Sequence, residues 1–370
     1  MKSFNVTLKK VVDNSYNIDI GYNLSDRLVD DLKNGLCKGY KKVAVISDST
    51  VASLYAESIV ERLEQSGFSP KLFVFPEGEK SKVRKTKEML EDAMLEAGFR
   101  RDCCVVAVGG GVVTDLAGFL AGTFGRGVPF VNYATTLLAA ADASVGGKTA
   151  VDTPVATNLI GIFNQPKKVY IDLAAWKTLP KRQISSGLAE TIKHAMMADI
   201  EFFEYLEQNV QRVFEFDEQV CEHIAEKNCE IKYSVVMKDE LELSLREILN
   251  LGHTVGRAIE TVSDYRLLHG EAVAIGLLAE CELSCSLGFM TSDEVARVKA
   301  LLNNAQLSTD IPDYIDRNAL VDKLYTDKKV RDGCLRFVLQ DGIGRVKQFE
   351  NSWALKVPRE SIEKIILNMK

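Results

Sequence analysis

Between residues 42 and 111 the chain alternates twice between strand-like and helix-like patterns and then runs into three consecutive glycines. Few folds accommodate that order. Lys42-Val43-Ala44-Val45-Ile46-Ser47-Asp48 is an almost unbroken apolar run, as a strand buried on both faces requires. A helical pattern follows to Ser66-Gly67, then a strand from Pro70 to Phe75 and a helix from Lys85 to Ala97-Gly98. A further strand, Cys103 to Val108, ends directly in Gly109-Gly110-Gly111. Strands separated by helices predict a right-handed, mostly parallel α/β sheet. Ahead of them, the first twenty residues alternate on both sides of Asp13-Asn14, which predicts a β-hairpin.

From about Leu179-Pro180 the strand pattern fades. Helical periodicity runs from Arg182 to Glu230 and onward, and Glu271 to Leu287 is apolar almost all round, which predicts a buried central helix. Cys334 to Leu339 reads as a short strand. No repeat or low-complexity linker divides the chain, so the change of pattern itself marks the domain boundary. At 370 residues there is material for two domains with substantial cores. A net charge of −6 without a long basic run argues against nucleic acid as the main partner. No window has the length and purity of a membrane span, and the N-terminus lacks the apolar core of a signal peptide. Eight cysteines are scattered without a CxxC pair, which predicts reduced, mostly buried thiols in a cytoplasmic protein.

Three sets of residues carry chemistry. The first is the turn Gly109-Gly110-Gly111-Val112-Val113-Thr114-Asp115, which leaves a strand and opens a helix. Its bare N–H groups and the helix dipole suit a pyrophosphate, although a tight packing turn would use the same glycines. Asp48, just past its strand, suits either a ribose hydroxyl or the N-cap of the helix that follows. The second set is His253 and His269, each beside glycine, with Glu190 as the carboxylate candidate. Two imidazoles and a carboxylate form a ligand set for a catalytic metal, and ordinary core or surface histidines are the alternative. The third set is cationic: Arg126, Lys148, Lys193, Lys232 and Arg246. Ser144-Val145-Gly146-Gly147-Lys148-Thr149 combines N–H donors with a point charge but lacks the spacing of a Walker A loop. So many cations beside a metal set in an acidic chain point to a small, doubly anionic substrate.

Taken together, these segments resemble the dehydroquinate synthase family. The resemblance runs from Asp48 to about Gly344, through Gly109–Gly118, Asp142–Thr149, Asn158–Pro166, Gly187–Lys193, Lys238–Gly256, His269–Gly276 and Asp327–Val330. It implies an N-terminal α/β Rossmann-like nucleotide-binding domain, here 1–178, and an all-α C-terminal metal- and substrate-binding domain, here 179–370. It also implies NAD and one divalent metal, zinc or cobalt, in the cleft between them, and a homodimer. Carried over, the metal ligands are Glu190, His253 and His269. The NAD contacts are Asp48, Glu79, Lys82, Gly110, Gly111, Val112, Asp115, Thr135, Thr136, Thr178 and Leu179. The substrate contacts are Asp142, Lys148, Asn158, Lys193, Lys232, Glu242, Arg246, Asn250 and one of Lys328 or Lys329. Arg126 matches a residue that reaches across the dimer toward the substrate phosphate.

The implied reaction turns 3-deoxy-D-arabino-heptulosonate 7-phosphate into 3-dehydroquinate. A hydroxyl is oxidised, inorganic phosphate leaves, the hydride returns and an intramolecular aldol closes the ring. Neighbouring readings are another sugar phosphate cyclase (a 2-deoxy-scyllo-inosose or amino-dehydroquinate synthase), a metal-dependent polyol dehydrogenase, and a non-catalytic homologue. Retained Lys232, Arg246 and Asn250 favour a substrate with a carboxylate. Two departures stand out. The family usually reads HTxGHA where this chain has His253-Thr254-Val255-Gly256-Arg257-Ala258, so Arg257 occupies an active-site position where it keeps charge and donors but shuttles no proton near neutral pH. Thr157 precedes Asn158 where the family usually has lysine, and Thr50 stands where asparagine is common. Arg257 is thus expected to restore the charge missing at Thr157.

Overall fold

A computed structural model describes residues 3, 5, 12–326, 335–350 and 352–369. Its first half is built on six parallel strands: β1 (Asn17–Gly21), β2 (Lys42–Asp48), β3 (Ser69–Phe75), β4 (Cys103–Gly109), β5 (Phe130–Ala134) and β8 (Lys168–Asp172), in the order β1-β8-β5-β4-β2-β3. Helices α1 (Ser25–Lys33), α2 (Ser49–Val51), α3 (Glu57–Gln65), α4 (Arg84–Glu96) and α5 (Gly111–Thr123) connect them. A two-stranded antiparallel ribbon, β6 (Lys148–Thr153) and β7 (Ala156–Phe163), projects beside the sheet. Every residue of β4 and β5 is buried, which is why those runs are apolar without alternation. The strand and helix expectations from Lys42 to Thr123 hold. The predicted hairpin is met differently: its second arm is β1, which pairs in parallel with β8 in the register Asn17 to Lys168, and most of its first arm lies outside the described residues.

Strand order decides where a ligand can bind. From β2 the chain steps outward to β3, then returns to the other flank of β2 as β4. The crevice beyond the carboxyl ends of β2 and β4 is therefore a topological switch point, where no crossover covers the sheet edge. Asp48 ends β2 and Gly109 ends β4, so both expected nucleotide signals flank it.

The second half is helical: α6 (Lys181–Ala198), α7 (Ile200–Val213), α8 (Glu218–Lys238), α9 (His253–Val262), α10 (His269–Ser286), α11 (Ser292–Asn304), α12 (Arg317–Thr326) and α13 (Arg359–Asn368). As expected, α10 is the central helix, buried on nearly all sides and packed against α6, α9 and α11. The strand expected near residue 335 is β9 (Leu335–Val338), paired antiparallel with β10 (Ala354–Val357). One continuous core joins the two halves, since Val169 and Ile171 of β8 pack in the same cluster as Leu188 and Ile192 of α6. No described helix is long and apolar enough to cross a membrane. All seven described cysteines are free and six are buried.

Candidate active site

A cavity of about 1530 Å³ opens between the carboxyl edge of the sheet and helices α6, α8, α9 and α10. At its helical end the ligand atoms of Glu190, His253 and His269 all lie within 4.8 Å of one another. Glu190 comes from the middle of α6, and each histidine is the first residue of its helix. Glycines make this convergence possible. A Cβ on Gly270 would collide with the Ser186 carbonyl of α6, and one on Gly276 with the Gly252 carbonyl ahead of α9. Only bare backbone lets α10 sit that close to both helices. Ser186 Oγ accepts from Gly270 N at 3.0 Å, and Glu280 Oε2 accepts from Gly252 N at 2.6 Å, which locks the two approaches.

The outer nitrogen of each imidazole is already committed. His253 Nδ1 donates to the Leu251 carbonyl at 3.0 Å, and His269 Nδ1 donates to Glu260 Oε1 at 2.9 Å. Both Nε2 atoms therefore point inward, 3.5 and 3.1 Å from Glu190 Oε1. A divalent cation fits this set of two imidazoles and a carboxylate with oriented partners behind it. Burial holds His253 well below the ordinary imidazole range. For His269 burial works the other way from the outcome: the carboxylates of Glu260 and Glu190 overcome it and push the group up to about 10. Against the cost of burial, the Lys193 ammonium and His253 hold Glu190 well below the usual carboxylate range. Glu260 was not identified from the sequence, although it lies seven residues, two helical turns, after His253 on α9.

A second group, Asp142, Glu190 and His194, is just as compact. Ammonium groups already occupy it: Lys193 Nζ bonds Glu190 Oε2, and Lys232 Nζ lies 2.6 Å from Asp142 Oδ1 and also bonds the Asp142 carbonyl. It is a charge-balanced wall, with no room for the repulsion a second cation would bring.

At the sheet end, Gly110, Gly111 and Val112 line the cavity where α5 begins. Gly110 is the N-cap of α5 and supplies no capping side chain, so the first N–H groups of the helix remain for a ligand. A Cβ on Gly110 would press on the Thr136 side chain and one on Gly111 on that of Ala143, which favours bare backbone at both positions. The N-cap reading of Asp48 holds: Oδ1 caps α2 by accepting from Thr50 N and Val51 N at 2.9 Å, and the residue also lines the cavity. Lys82 Nζ joins Asp115 Oδ2 at 2.6 Å and Glu79 Oε1 at 3.4 Å, tying the 79–82 turn to α5. Burial pushes the Asp115 carboxyl up to about 6 despite that ammonium. Thr135, Thr136, Thr178 and Leu179 close this end, with Thr178 Oγ1 2.6 Å from Tyr55 Oη. A dinucleotide phosphate fits this cradle of bare helix-start donors at the switch point.

The cationic set gathers between the two ends. Lys148 Nζ lies 2.6 Å from Glu242 Oε2, and Asn250 Nδ2 donates to Glu242 Oε1 at 2.9 Å. Although 42% of the Lys148 side chain meets the open cavity, enclosure by its walls lowers the ammonium to about 8, with Glu242 opposing. Arg246 is almost fully buried, spending Nη1 on the Glu240 carbonyl at 2.5 Å and Nη2 on the Gly146 carbonyl at 2.8 Å. Its Nε has no partner among the described residues. Lys232, Asp142, Asn158, Thr157 and Arg257 line the same space. The Arg257 carbonyl accepts from Thr261 Oγ1 at 3.0 Å within α9. Lys193 and Glu190 are buried and do not themselves line the cavity. Arg126 is exposed in a left-handed turn (φ 68°) and does not line this cavity. Lys328 and Lys329 lie outside the described residues. Arg336 of β9, not singled out from the sequence, also lines the cavity and donates to the Ala354 carbonyl at 3.1 Å. Strand alternation in Leu335-Arg336-Phe337 was the only signal for it.

Comparison with known proteins agrees with this geometry. Residues 72–186 match the family model for the 3-dehydroquinate synthase N-terminal region, and residues 187–330 match that for the C-terminal region. A 3-dehydroquinate synthase of Pelobacter propionicus is 46% identical over 338 residues, 88% of this chain and 93% of that protein. Another, from Thermoanaerobacter sp., is 40% identical over 355 residues, 96% of this chain and 97% of that one. Among solved structures, a 2-deoxy-scyllo-inosose synthase complexed with carbaglucose-6-phosphate, NAD+ and Co2+ matches with a TM-score of 0.86 at 25% identity, over 95% of this chain and 96% of that one. A 2-epi-5-epi-valiolone synthase from Streptomyces hygroscopicus with NAD+ and Zn2+ bound also scores 0.86, at 29% identity and 98% of both chains. A glycerol dehydrogenase from Schizosaccharomyces pombe, 16% identical with a TM-score of 0.63 over 98% of this chain and 91% of that one, shares the fold alone. Matched by the family models over residues 72–330 and by relatives 40–46% identical over most of its length, this chain belongs to the 3-dehydroquinate synthase family.

Proposed function

We infer that this chain is a 3-dehydroquinate synthase, an NAD- and divalent-metal-dependent lyase of the shikimate pathway to aromatic amino acids. It converts 3-deoxy-D-arabino-heptulosonate 7-phosphate to 3-dehydroquinate and phosphate. The observation that carries the reading is the single cavity with His253 and His269 at one end, both within reach of the buried Glu190, the Gly110–Val112 cradle at the other, and Lys148, Lys232, Arg246 and Arg257 between. When bound, NAD takes up and returns a hydride, and the metal, zinc or cobalt, polarises the hydroxyl being oxidised.

In our reading the residues divide the work as follows. Asp48, Gly110, Gly111, Val112, Thr135, Thr136, Thr178 and Leu179 hold the dinucleotide, and the Glu79–Lys82–Asp115 network braces that end. Glu190, His253 and His269 hold the metal. Lys148, Lys232, Arg246 and Arg257 supply positive charge for phosphate and carboxylate, worth most where the walls exclude water. Asn250 orients Glu242, Glu242 holds Lys148, and Asp142 holds Lys232. Asn158 binds substrate hydroxyls from the β7 side. Lys193 fixes Glu190 from behind. Residues 1–178, with Leu179 at the boundary, thus serve the nucleotide and 179–370 the metal, with the substrate between.

We further read the protein as a cytoplasmic homodimer in which Arg126 serves the partner's cavity. An exposed arginine held in a turn away from its own cavity supports the second point, and the free cysteines support the first. Metal-loaded protein supplied with NAD and the heptulosonate phosphate tests the function. Phosphate released in step with dehydroquinate, without net NADH, is expected. Turnover of glucose 6-phosphate instead would move the assignment to an inosose synthase, and accumulating NADH would move it to a polyol dehydrogenase.

A further inference from the structure

The buried backbone of Gly146 is gripped from three distant parts of the chain. Its N–H donates to Tyr16 Oη at 2.9 Å, and its carbonyl accepts from Arg246 Nη2 at 2.8 Å and Gln165 Nε2 at 3.4 Å. The next peptide is fixed as well, because Asn164 N donates to the Gly147 carbonyl at 2.8 Å. The same donors meet again on Glu240. Its carbonyl takes Arg246 Nη1 at 2.5 Å, and its Oε1 takes Gln165 Nε2 at 3.1 Å and Asn14 Nδ2 at 2.8 Å. Gly146 and Gly147 are both left-handed, at φ 92° and 67°. Two successive glycines in that region have wide conformational freedom, so bonds from outside must choose the conformation. Lys148 is the next residue, and its ammonium stands in the cavity.

We propose that Tyr16 is a positioning residue: its hydroxyl, together with Arg246 and Gln165, fixes the Gly146-Gly147 turn and thereby sets where the Lys148 ammonium meets the substrate anion. The catalytic part of this inference rests on the reaction proposed above. The placement of Lys148 does not. Charged groups facing Lys148 are Glu242, Arg246 and Arg257, and the charged or titratable groups near the Tyr16 hydroxyl are Arg246, Glu240 and the neutral Cys229 thiol. None of them is substituted in Tyr16→Phe, which keeps the ring and deletes only the hydroxyl. The Gly146 N–H then loses its partner, the turn loosens, and Lys148 gains access to water. Exposure favours the charged form, so its titration moves upward toward that of an ordinary lysine.

The test uses the full chain with ¹³C-dimethylated lysines, the Lys148 resonance being assigned with Lys148→Arg. Its titration midpoint is compared between the wild-type protein and Tyr16→Phe. A midpoint higher in the variant by about half a pH unit or more is expected. In turnover assays kcat falls roughly fivefold or more, the scale of one lost hydrogen bond, and KM for NAD is unchanged. An unmoved midpoint overturns the proposal. So does a fall in activity without a shift of midpoint, because a merely structural hydroxyl would act that way. If the wild-type protein turned over no heptulosonate phosphate, the assigned reaction would fail while the titration still decided the role of Tyr16.

Discussion

Glu260 Oε1 accepts a hydrogen bond from His269 Nδ1 at 2.9 Å, and the two residues come from different helices. That bond aims His269 Nε2 at Glu190, so the Glu260 carboxylate orients a proposed metal ligand from behind. Glu260→Gln removes the charge behind the ring while keeping the shape. Metal affinity is expected to fall about 10- to 100-fold, with thermal stability of the metal-free protein little changed. Calorimetric titration with zinc or cobalt measures the first effect and a melting curve the second.

The close approach of α10 to α6 rests on Gly270. A methyl group there meets the Ser186 carbonyl, which belongs to backbone and cannot swing aside. Gly270→Ala is expected to destabilise the protein by about 1–3 kcal/mol and to weaken metal binding, since His269 precedes the substituted residue. Equal metal affinity in the variant would show that the ligands do not depend on this contact.

Lys148 should appear in the pH profile. Its ammonium stands in the cavity and is lowered to about 8, so if it meets the substrate anion as proposed, kcat/KM is expected to fall as pH rises through that value. Lys148→Arg stays charged and removes this alkaline limb, whatever its absolute rate. The linked effect on stability has the opposite sense. Between about 8 and the ordinary lysine value of 10.5 the unfolded chain binds more protons at this group, so its contribution to stability rises with pH over that window. Below the window both states are protonated and the burial cost is fully present.

Arg257 on α9 and Thr157 on β7 line the same cavity from opposite halves of the chain. If Arg257 supplies the charge that Thr157 lacks, Arg257→His should raise KM for the sugar phosphate, and adding Thr157→Lys should recover part of the loss. Kinetics of both single variants and the double variant measure the coupling. Strictly additive effects would show that the positions act independently. Arg257 also depresses Lys148, so its removal is expected to shift the alkaline limb upward.

Local pattern determined much of this protein before any contact was known. The apolar runs at β2 and β4, the glycines after β4 and the all-round apolar face of α10 each state their own burial, because periodicity and side-chain freedom are properties of a few neighbouring residues. The proposed metal set was legible as residue types, and the resemblance paired Glu190 with two histidines more than sixty residues away. What local pattern could not express is contact between strangers. Glu260 sits behind His269, Arg336 reaches the cavity from β9, and Tyr16 grips Gly146 across 130 residues. The parallel partner of β1 is β8 rather than its own neighbour for the same reason. Such pairings are set by how helices and strands pack, where the cost of an unsatisfied buried donor or a colliding carbonyl selects one arrangement among many. Sequence determined which chemistry was available, and only tertiary structure decided which atoms it would act through.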